Sequence, residues 1–150
     1  MQDETLDPMS RALEAARAAG ACGEVPVGAV LVAAGRIIAA AGNATRNPPD
    51  PTGHAEIRVI RDGALLLGQE RLTDCDLYVT LEPCAMCAGA ISFARIRRLY
   101  YGAADPKGGA VDNGPRFFAS PVCHHAPEVY SGFQERAAAA LLSDFFAARR

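Results

Sequence analysis

The first pattern of hydrophobic residues from the amino terminus has the period of a helix. Met9, Leu13 and Ala16 are spaced three or four residues apart and fall on one stripe of a helix. Asp7 precedes this stripe and can accept hydrogen bonds from the free N–H groups of a first turn, and the proline that follows suits that turn. The pattern predicts an amphipathic helix over 8–19 that covers one face of a sheet.

The remaining hydrophobic runs predict strands that are separated by helices. The strands are expected over 27–32, 36–40, 76–81, 98–101 and 129–130, and the helices over 54–66, over 83–94 and in a last segment that ends near 146. Thr52 can cap the second helix and Ser131 the last one. The glycine- and proline-rich stretch 102–127 predicts an irregular loop. We therefore expect one α/β domain over residues 1–150, with a layered mixed sheet.

Charge argues against a strongly basic nucleic-acid binder. The net charge is −2 and the pI is about 5.9, so only a local patch could hold RNA. Arginines cluster at Arg95, Arg97, Arg98 and 149–150, and Lys107 is the only lysine. Arginine suits phosphate, but these residues can equally be the solvated ends of helices and strands, and charge alone favours that second interpretation.

The chain has no pattern typical of export or of a membrane protein. Its first seven residues are acidic and lack a basic-then-apolar signal, and no apolar run approaches the ~20 residues of a membrane-spanning helix. We therefore expect a cytoplasmic protein with no membrane partner. Five cysteines, two of them in a C-x-x-C, fit metal binding or free thiols better than disulfides.

Two short motifs, G-H-A-E and L-E-P-C-A-M-C, carry the candidate chemistry. They supply the imidazole of His54 and the thiols of Cys84 and Cys87. This is a typical ligand set for catalytic zinc, with the fourth position left for water. The carboxylate of Glu56 is then free for proton transfer, and zinc can lower the pKa of water from 15.7 to about 7. The motifs predict one zinc ion per chain beside an acid–base group.

The spacing of His54 and Glu56 indicates where the ion lies. Residues two apart point to nearly opposite sides of a regular helix, so both can reach one point only beyond the helix amino end. The two motif cysteines lie on the first turn of the next helix, so we expect the ion between two helix amino termini. The alternative is a closed structural site with Cys75 or Cys123 as fourth ligand, which would not need an acid at position 56.

Longer segments resemble the tRNA-specific adenosine deaminase family of the bacterial TadA type. They are D-P-T-G-H-A-E-I at 50–57, Y-V-T-L-E-P-C-A-M-C-A-G-A at 78–90, G-A-A-D-P-K-G-G-A at 102–110, E-V-P-V-G-A-V at 24–30 and A-L-L-S-D-F-F at 140–146. H-x-E with P-C-x-x-C is typical of zinc-dependent nucleobase deaminases in general, including cytidine, cytosine and guanine deaminases. The block at 105–109 and the closing D-F-F helix single out the tRNA branch.

This resemblance implies both a fold and an activity. The fold is a three-layer, cytidine-deaminase-like α/β architecture with a mixed central sheet of about five strands flanked by helices. The activity is conversion of adenosine to inosine at the wobble position of a tRNA anticodon stem-loop, with Glu56 as proton shuttle. The family also implies a homodimer, and the apolar stretches 90–94 and 99–101 predict that part of its interface lies on the third helix and the strand after it.

The resemblance further assigns substrate contacts to Asn43, Asp105, Lys107 and Phe145. Asn43 matches a pocket residue that hydrogen-bonds the target base, Asp105 and Lys107 match the loop that meets the anticodon, and Phe145 matches an aromatic near the splayed RNA loop. Taken alone, these positions have plainer interpretations, since Asn43 can be a turn residue, Asp105 a loop cap and Phe145 part of the core.

Two other functions remain open from the sequence. The chain could deaminate free nucleobases or nucleosides such as guanine or cytosine, because the zinc motifs are shared with those enzymes. It could also be a non-catalytic RNA-binding subunit on the same scaffold. Glu56 argues against the second function, because a subunit freed from catalysis need not keep its acid.

Overall fold

Four helices and five strands form the part of the chain that the computed structural model describes, residues 7–149. In chain order they are α1 (Pro8–Ala21), β1 (Gly28–Ala33), β2 (Arg36–Gly42), α2 (Ala55–Leu67), β3 (Cys75–Leu81), α3 (Ala85–Ala94), β4 (Arg98–Ala103), β5 (Glu128–Tyr130) and α4 (Glu135–Ala147). The acidic segment 1–6 and Arg150 lie outside the described residues. Within 7–149, no helix has the length and apolar character needed to cross a membrane.

The strands form one mixed sheet of five strands, as predicted, and their order in it is β2-β1-β3-β4-β5. β1 pairs antiparallel with both β2 and β3, whereas β4 runs parallel to β3 and β5 runs parallel to β4. Parallel strands end at the same edge of a sheet, so the residues that follow β3 and β4 come together there. β1 begins at this edge, where the N–H of Gly28 donates to Thr80 Oγ1 over 3.1 Å.

Alternate residues of the central strands feed cores on opposite faces of the sheet. In β1, Ala29 and Leu31 belong to the larger core, which α2 and α3 cover, whereas Val30 between them packs with Met9 of α1. α4 lies beside α1 on this second face. The predicted three layers are confirmed, with a pair of helices on each side of the sheet.

Helix α1 lies directly against β1. A Cβ added at Gly28 would lie 2.0 Å from the carbonyl oxygen of Ala12, so only glycine permits this approach of the two backbones. The helix begins as predicted, because the Asp7 carboxylate accepts a hydrogen bond from the Ser10 N–H over 3.0 Å. The first helix is thereby fixed at both its start and its contact with the sheet.

Two predicted helix caps are wrong. The Thr52 hydroxyl donates to Asp50 Oδ1 over 3.0 Å, and α2 begins only after His54, so Thr52 stabilises the preceding turn instead. Ser131 does not cap α4, because the chain enters that helix through Gln134, whose φ of 51° is left-handed. In both cases a hydroxyl lies near the helix start in the sequence but does not accept a hydrogen bond from the first turn.

The predicted irregular stretch between β4 and β5 contains a short 3-10 turn at Phe117–Ala119 and folds back onto α3. His125 Nε2 lies 2.7 Å from the carbonyl oxygen of Ile96, and Cys123 Sγ lies 3.5 Å from Ser92 Oγ. These contacts attach the far part of the loop to the carboxyl end of α3.

Three tyrosines stack across neighbouring strands on the α1 face. The ring centroids of Tyr78 and Tyr100 are 4.3 Å apart, and those of Tyr100 and Tyr130 are 5.0 Å apart. Phe133 meets Tyr100 edge-on at 5.2 Å. The stack links β3, β4 and β5 through side chains as well as through the backbone.

Candidate metal centre and active site

Three candidate metal ligands meet where two helices begin. His54 is the residue before α2, Cys84 is the residue before α3, and Cys87 lies in the first turn of α3. Their ligand atoms all lie within 4.8 Å of one another. This arrangement matches the expectation that the ion sits beyond two helix amino ends.

The distances in this cluster fit zinc. His54 Nδ1 lies 3.6 Å from Cys84 Sγ and 3.5 Å from Cys87 Sγ. A tetrahedral ion with Zn–S of about 2.3 Å and Zn–N of about 2.0 Å requires an S···N separation of roughly 3.5 Å. The three side chains therefore already stand at the spacing of zinc ligands, with Nδ1 as the imidazole donor.

The hydrogen bond between the two thiols shifts their pKa values in opposite directions. A hydrogen bond from Cys87 lowers the pKa of Cys84 to about 4, and the same hydrogen bond raises the pKa of Cys87. A hydrogen bond with Cys84 also raises the pKa of His54. Metal ligands bind as thiolates, so a divalent cation at this cluster would displace the thiol protons on binding.

Glu56 lies in the first turn of α2 and is 4% exposed. Burial raises the pKa of its carboxyl to about 7, against the opposing effect of its own backbone N–H. A carboxyl with a pKa near neutrality can both accept and release a proton at physiological pH. The Glu56 carboxyl therefore has the acid–base property that a proton shuttle needs.

The cluster has three ligands among the described residues, and neither other candidate cysteine joins it. Cys75 starts β3 at the opposite edge of the sheet, and Cys123 donates to the carbonyl oxygen of His125. The geometry therefore argues against a closed four-ligand site, and an ion held by these three residues would have a position free for water.

Asn43 follows β2 and faces the start of α2. Its Oδ1 accepts a hydrogen bond from the N–H of Ala55, the first residue of α2, over 2.9 Å. Asn43 thus supplies the helix cap that was expected of Thr52. No described residue accepts a hydrogen bond from its Nδ2 group, which is the atom that could donate to a base.

Asp105 and Lys107 lie in the loop after β4. Asp105 Oδ1 accepts hydrogen bonds from the backbone N–H groups of Lys107 and Gly108 over 3.2 and 3.0 Å. The plainer interpretation of Asp105 as a loop cap therefore describes its structural role. The Lys107 side chain is exposed, and RNA contact by either residue stays a prediction.

Phe145 is 9% exposed, and the guanidinium of Arg149 lies 3.4 Å from its ring centroid. Arg149 Nη1 also donates to the Phe145 carbonyl oxygen over 3.1 Å. A base could reach this face of the ring only if Arg149 moved. The assignment of Phe145 to RNA binding stays a prediction, and Phe146, which is 48% exposed, is the more accessible aromatic of the pair.

The internal arginine cluster has structural partners at the other edge of the sheet. Arg97 forms two 3.0 Å hydrogen bonds with Asp76, and Arg98 pairs with both Asp76 and Glu128. Arg95 ends α3 in a left-handed conformation. These positions support the interpretation of the cluster as ends of helices and strands, away from the metal centre.

Two buried carboxylates that the sequence motifs do not identify shape the surrounding loops. Glu24 accepts hydrogen bonds from Thr45 and Arg46, just after Asn43, and Glu82 accepts five from the loop after β4. Both residues stand inside segments that the resemblance already covered. An acidic residue flanking a buried strand was the only local signal.

Comparisons with known proteins agree with this site. A family model for the cytidine and deoxycytidylate deaminase zinc-binding region matches residues 2–103. A tRNA-specific adenosine deaminase of Agrobacterium fabrum is 64% identical over 142 residues, which cover 95% of this chain and 93% of the relative. The chain belongs to the tRNA-specific adenosine deaminase family. This membership confirms the resemblance found in the sequence.

Solved structures place this family member among deaminases of more than one substrate. A structure from studies of A-to-I editing by tRNA:A34 deaminases at the wobble position of transfer RNA is 65% identical, with a TM-score of 0.89 over 90% of this chain and 98% of that one. A Bacillus subtilis guanine deaminase is 33% identical, with a TM-score of 0.64 over 99% of this chain and 94% of that one.

The cofactor follows from the family and the geometry together. The matching family model describes a zinc-binding region, and the described residues hold a His/Cys/Cys cluster at zinc spacing. One zinc ion per chain is therefore the cofactor of this deaminase.

Proposed function

We propose that the chain converts adenosine to inosine by hydrolytic deamination at the wobble position of a tRNA anticodon. The observation that carries this proposal is the buried Glu56 beside a three-ligand zinc cluster. The relative from Agrobacterium fabrum, which bears the name of this activity, supports the choice of substrate.

The chain's own residues suit each step of this reaction. We propose that His54, Cys84 and Cys87 hold zinc, which when bound lowers the pKa of water towards neutrality. Glu56 accepts one proton of the attacking water and delivers it to the ring nitrogen, and it then transfers the proton of the hydroxyl newly attached to the base to the departing amine, which leaves as ammonia. The Asn43 Nδ2 group donates to the edge of the base.

The anticodon loop is a substrate of suitable physical character. Its bases are single-stranded, so the target can leave its stack at small cost and enter a buried pocket. We propose that Asp105, Lys107 and Phe145 meet the neighbouring nucleotides. The first two lie in the loop after β4, at the sheet edge that also carries the zinc ligands.

We propose that the protein acts as a homodimer through the outer face of α3. Phe93 is 81% exposed there and Met86 36%, which is a large apolar area for a helix that faces water. The strand that follows does not add to this surface, because Leu99 and Tyr101 are buried and Tyr100 lies in the tyrosine stack.

Sedimentation velocity at micromolar concentration tests the dimer. The wild-type protein should sediment as a dimer, and Phe93→Asp should sediment as a folded monomer. Phe146→Asp changes an exposed aromatic on α4, on the opposite face of the sheet, and should leave the dimer intact. A monomeric wild type, or a Phe93→Asp dimer of unchanged affinity, would contradict the proposal.

We also propose that residues 1–150 act as one domain in the cytoplasm. A single five-stranded sheet joins all described elements, and the relatives of this chain modify tRNA. Limited proteolysis that released a stable fragment would argue against a single domain.

The deciding experiment offers several substrates to the purified zinc-loaded protein. An anticodon stem-loop with adenosine at the wobble position is compared with free adenosine, cytosine and guanine, and both the deaminated product and ammonia are measured. Inosine formed from the stem-loop, and not by Glu56→Ala, supports the proposal. Faster release of ammonia from a free base would favour a free-base deaminase, and RNA binding without any product would favour a non-catalytic subunit.

A further inference from the structure

Glu82 is the most deeply buried carboxylate near the metal centre that the proposed reaction does not use. It follows β3 directly, precedes Pro83 and Cys84, and is 2% exposed. A carboxylate in such a place is costly unless hydrogen bonds replace its water. Its partners therefore show what the side chain is for.

All five hydrogen bonds to the Glu82 carboxylate come from one loop. Oε1 accepts from the N–H of Asp105 over 2.9 Å and from Asn113 Nδ2 over 2.6 Å. Oε2 accepts from the N–H groups of Val111, Asp112 and Asn113 over 3.1, 2.9 and 3.1 Å. These bonds occupy both oxygens and bring the two ends of the 105–113 loop to a single point.

The middle of the loop is packed against the same side chain. A Cβ added at Gly109 would lie 2.5 Å from the Glu82 carboxyl carbon and 2.6 Å from the Asp105 carbonyl oxygen. The next residue, Ala110, donates its N–H to the Pro83 carbonyl oxygen over 2.9 Å. The loop is therefore wrapped around Glu82 and also bonded to the residue before the zinc ligand Cys84.

We propose that Glu82 is a positioning residue that fixes the 105–113 loop relative to the zinc ligands and thereby sets where the anticodon is held. The inference rests on the proposed function, since Asp105 and Lys107 of this loop are the residues proposed to meet RNA. Glu82 is not among the candidate metal ligands of the described residues. It acts through the loop, because one proline separates it from Cys84 and five hydrogen bonds connect it to the RNA-facing segment.

The carboxylate is needed for its charge pattern as well as for its size. A glutamine has nearly the same shape, but one of its two polar atoms is an NH₂ group that would face N–H donors of the loop. Glu82→Gln therefore keeps the volume of the side chain and disrupts its hydrogen bonds with the loop. Asp76→Asn is the matched control, since Asp76 is a buried carboxylate at the opposite end of β3 that binds Arg97.

The only lysine of the chain provides a direct measure of this loop. Lys107 is exposed inside the 105–113 segment, so a lysine-specific protease can cut the native chain at a single peptide bond. Cleavage well below the unfolding temperature reports the fraction of molecules in which the loop is open. We expect Glu82→Gln to be cut at least ~10-fold faster than the wild type, and Asp76→Asn to be cut at the wild-type rate.

Steady-state kinetics on the anticodon stem-loop distinguish positioning from loss of folded protein. Glu82→Gln should raise KM by at least ~10-fold while kcat falls less and zinc stays at one per chain, because a displaced loop weakens RNA binding before it affects chemistry. A variant that was merely less folded would show a lower kcat at unchanged KM. That result, or a wild-type cleavage rate at Lys107, would overturn the proposal.

A second variant leaves the carboxylate in place. Gly109→Ala introduces the Cβ that meets Glu82, so it should open the loop and raise KM in the same direction if Glu82→Gln cannot be purified. If the wild-type protein deaminates no stem-loop, the proposed function fails, and the protease result alone then decides whether Glu82 holds the loop.

Discussion

The two glutamates beside the metal centre are both screened from solvent, at 4% and 2% exposed, and they have opposite acid–base character. Burial raises the pKa of Glu56 to about 7. Burial also disfavours ionisation of Glu82, but hydrogen bonds from Asp105, Asn113 and their neighbours outweigh it, so the pKa of Glu82 lies below its usual value. Glu56 lacks such a set of donors, and the neighbouring Cys84 raises its pKa further.

This contrast separates a group that can move a proton from one that can hold a loop. Glu56 has little to lose on protonation, since few donors stabilise its charge. Glu82 would lose the arrangement of five hydrogen bonds. Exposure alone would have assigned the two side chains the same role, whereas their partners assign them different ones.

Removal of zinc should have the largest effect on activity. It should affect the proton transfer by Glu56 and leave the loop held by Glu82 unchanged. A strong chelator should abolish deamination, because Glu56 then has no activated water to deprotonate, and added zinc should restore activity. Cleavage at Lys107 should stay close to its original rate, since the bonds to Glu82 do not involve the metal. Activity that survives complete chelation, verified by metal analysis, would remove zinc from the mechanism.

Replacement of the proton shuttle should have the next largest effect. Glu56→Ala should lower kcat by at least ~100-fold, the lower range for a positioned acid–base group. KM for the stem-loop, zinc content and cleavage at Lys107 should remain near wild-type values, in contrast to the effects expected for Glu82→Gln. Turnover within a few-fold of the wild type would exclude Glu56 as the shuttle.

Stability should depend on pH with opposite sign for the two glutamates in the metal-free protein. The pKa of Glu56 rises from 4.5 to about 7 on folding, so the wild type loses stability as the pH increases through this window. Glu56→Gln should therefore be more stable than the wild type by about 3 kcal/mol at pH 8 and equal to it near pH 4.

Glu82→Gln should behave in the reverse way. A lowered pKa in the folded state stabilises the protein above the unfolded value of 4.5, and this contribution is lost as the pH falls. The variant should thus be less stable than the wild type at pH 8. Denaturant unfolding at several pH values measures both differences, and equal signs for the two variants would refute the contrast.

The smallest effect is expected from two exposed cations near the proposed RNA contacts, Lys107 in the loop after β4 and Arg149 beside Phe145. Lys107→Ala combined with Arg149→Ala should weaken stem-loop binding and reduce the log–log salt slope by about 0.7 for each phosphate that the variant no longer binds. Arg97→Ala is the control, since Arg97 binds Asp76 at the other edge of the sheet. An unchanged slope in the double variant would place the RNA elsewhere.

The metal cluster could be predicted because its ligands occur in short motifs with a typical spacing. Two residues separate Cys84 from Cys87, and one separates His54 from Glu56, so the chemistry and the helix ends were both readable from short motifs. The strands and layers were predictable for the same reason, since alternation and helical period act over a few residues.

The role of Glu82 could not be read from the sequence. Its donors lie more than twenty residues further along the chain, and no local rule connects Asp105 or Asn113 to it. The predicted cap of α2 is wrong for a related reason. Asn43, twelve positions before Ala55, accepts the hydrogen bond from the Ala55 N–H that was expected to involve the nearby Thr52. Long-range hydrogen bonds decided both cases.

The stack of Tyr78, Tyr100 and Tyr130 has an optical consequence. The chain contains no tryptophan, so its four tyrosines dominate absorption and circular dichroism between 270 and 290 nm, at roughly the wavelengths used to monitor tertiary packing. Three of them lie in one stack, with centroids 4.3 and 5.0 Å apart. The near-ultraviolet circular dichroism spectrum therefore reports the packing of the α1 face of the sheet without a label. It can be compared with changes measured at the metal centre.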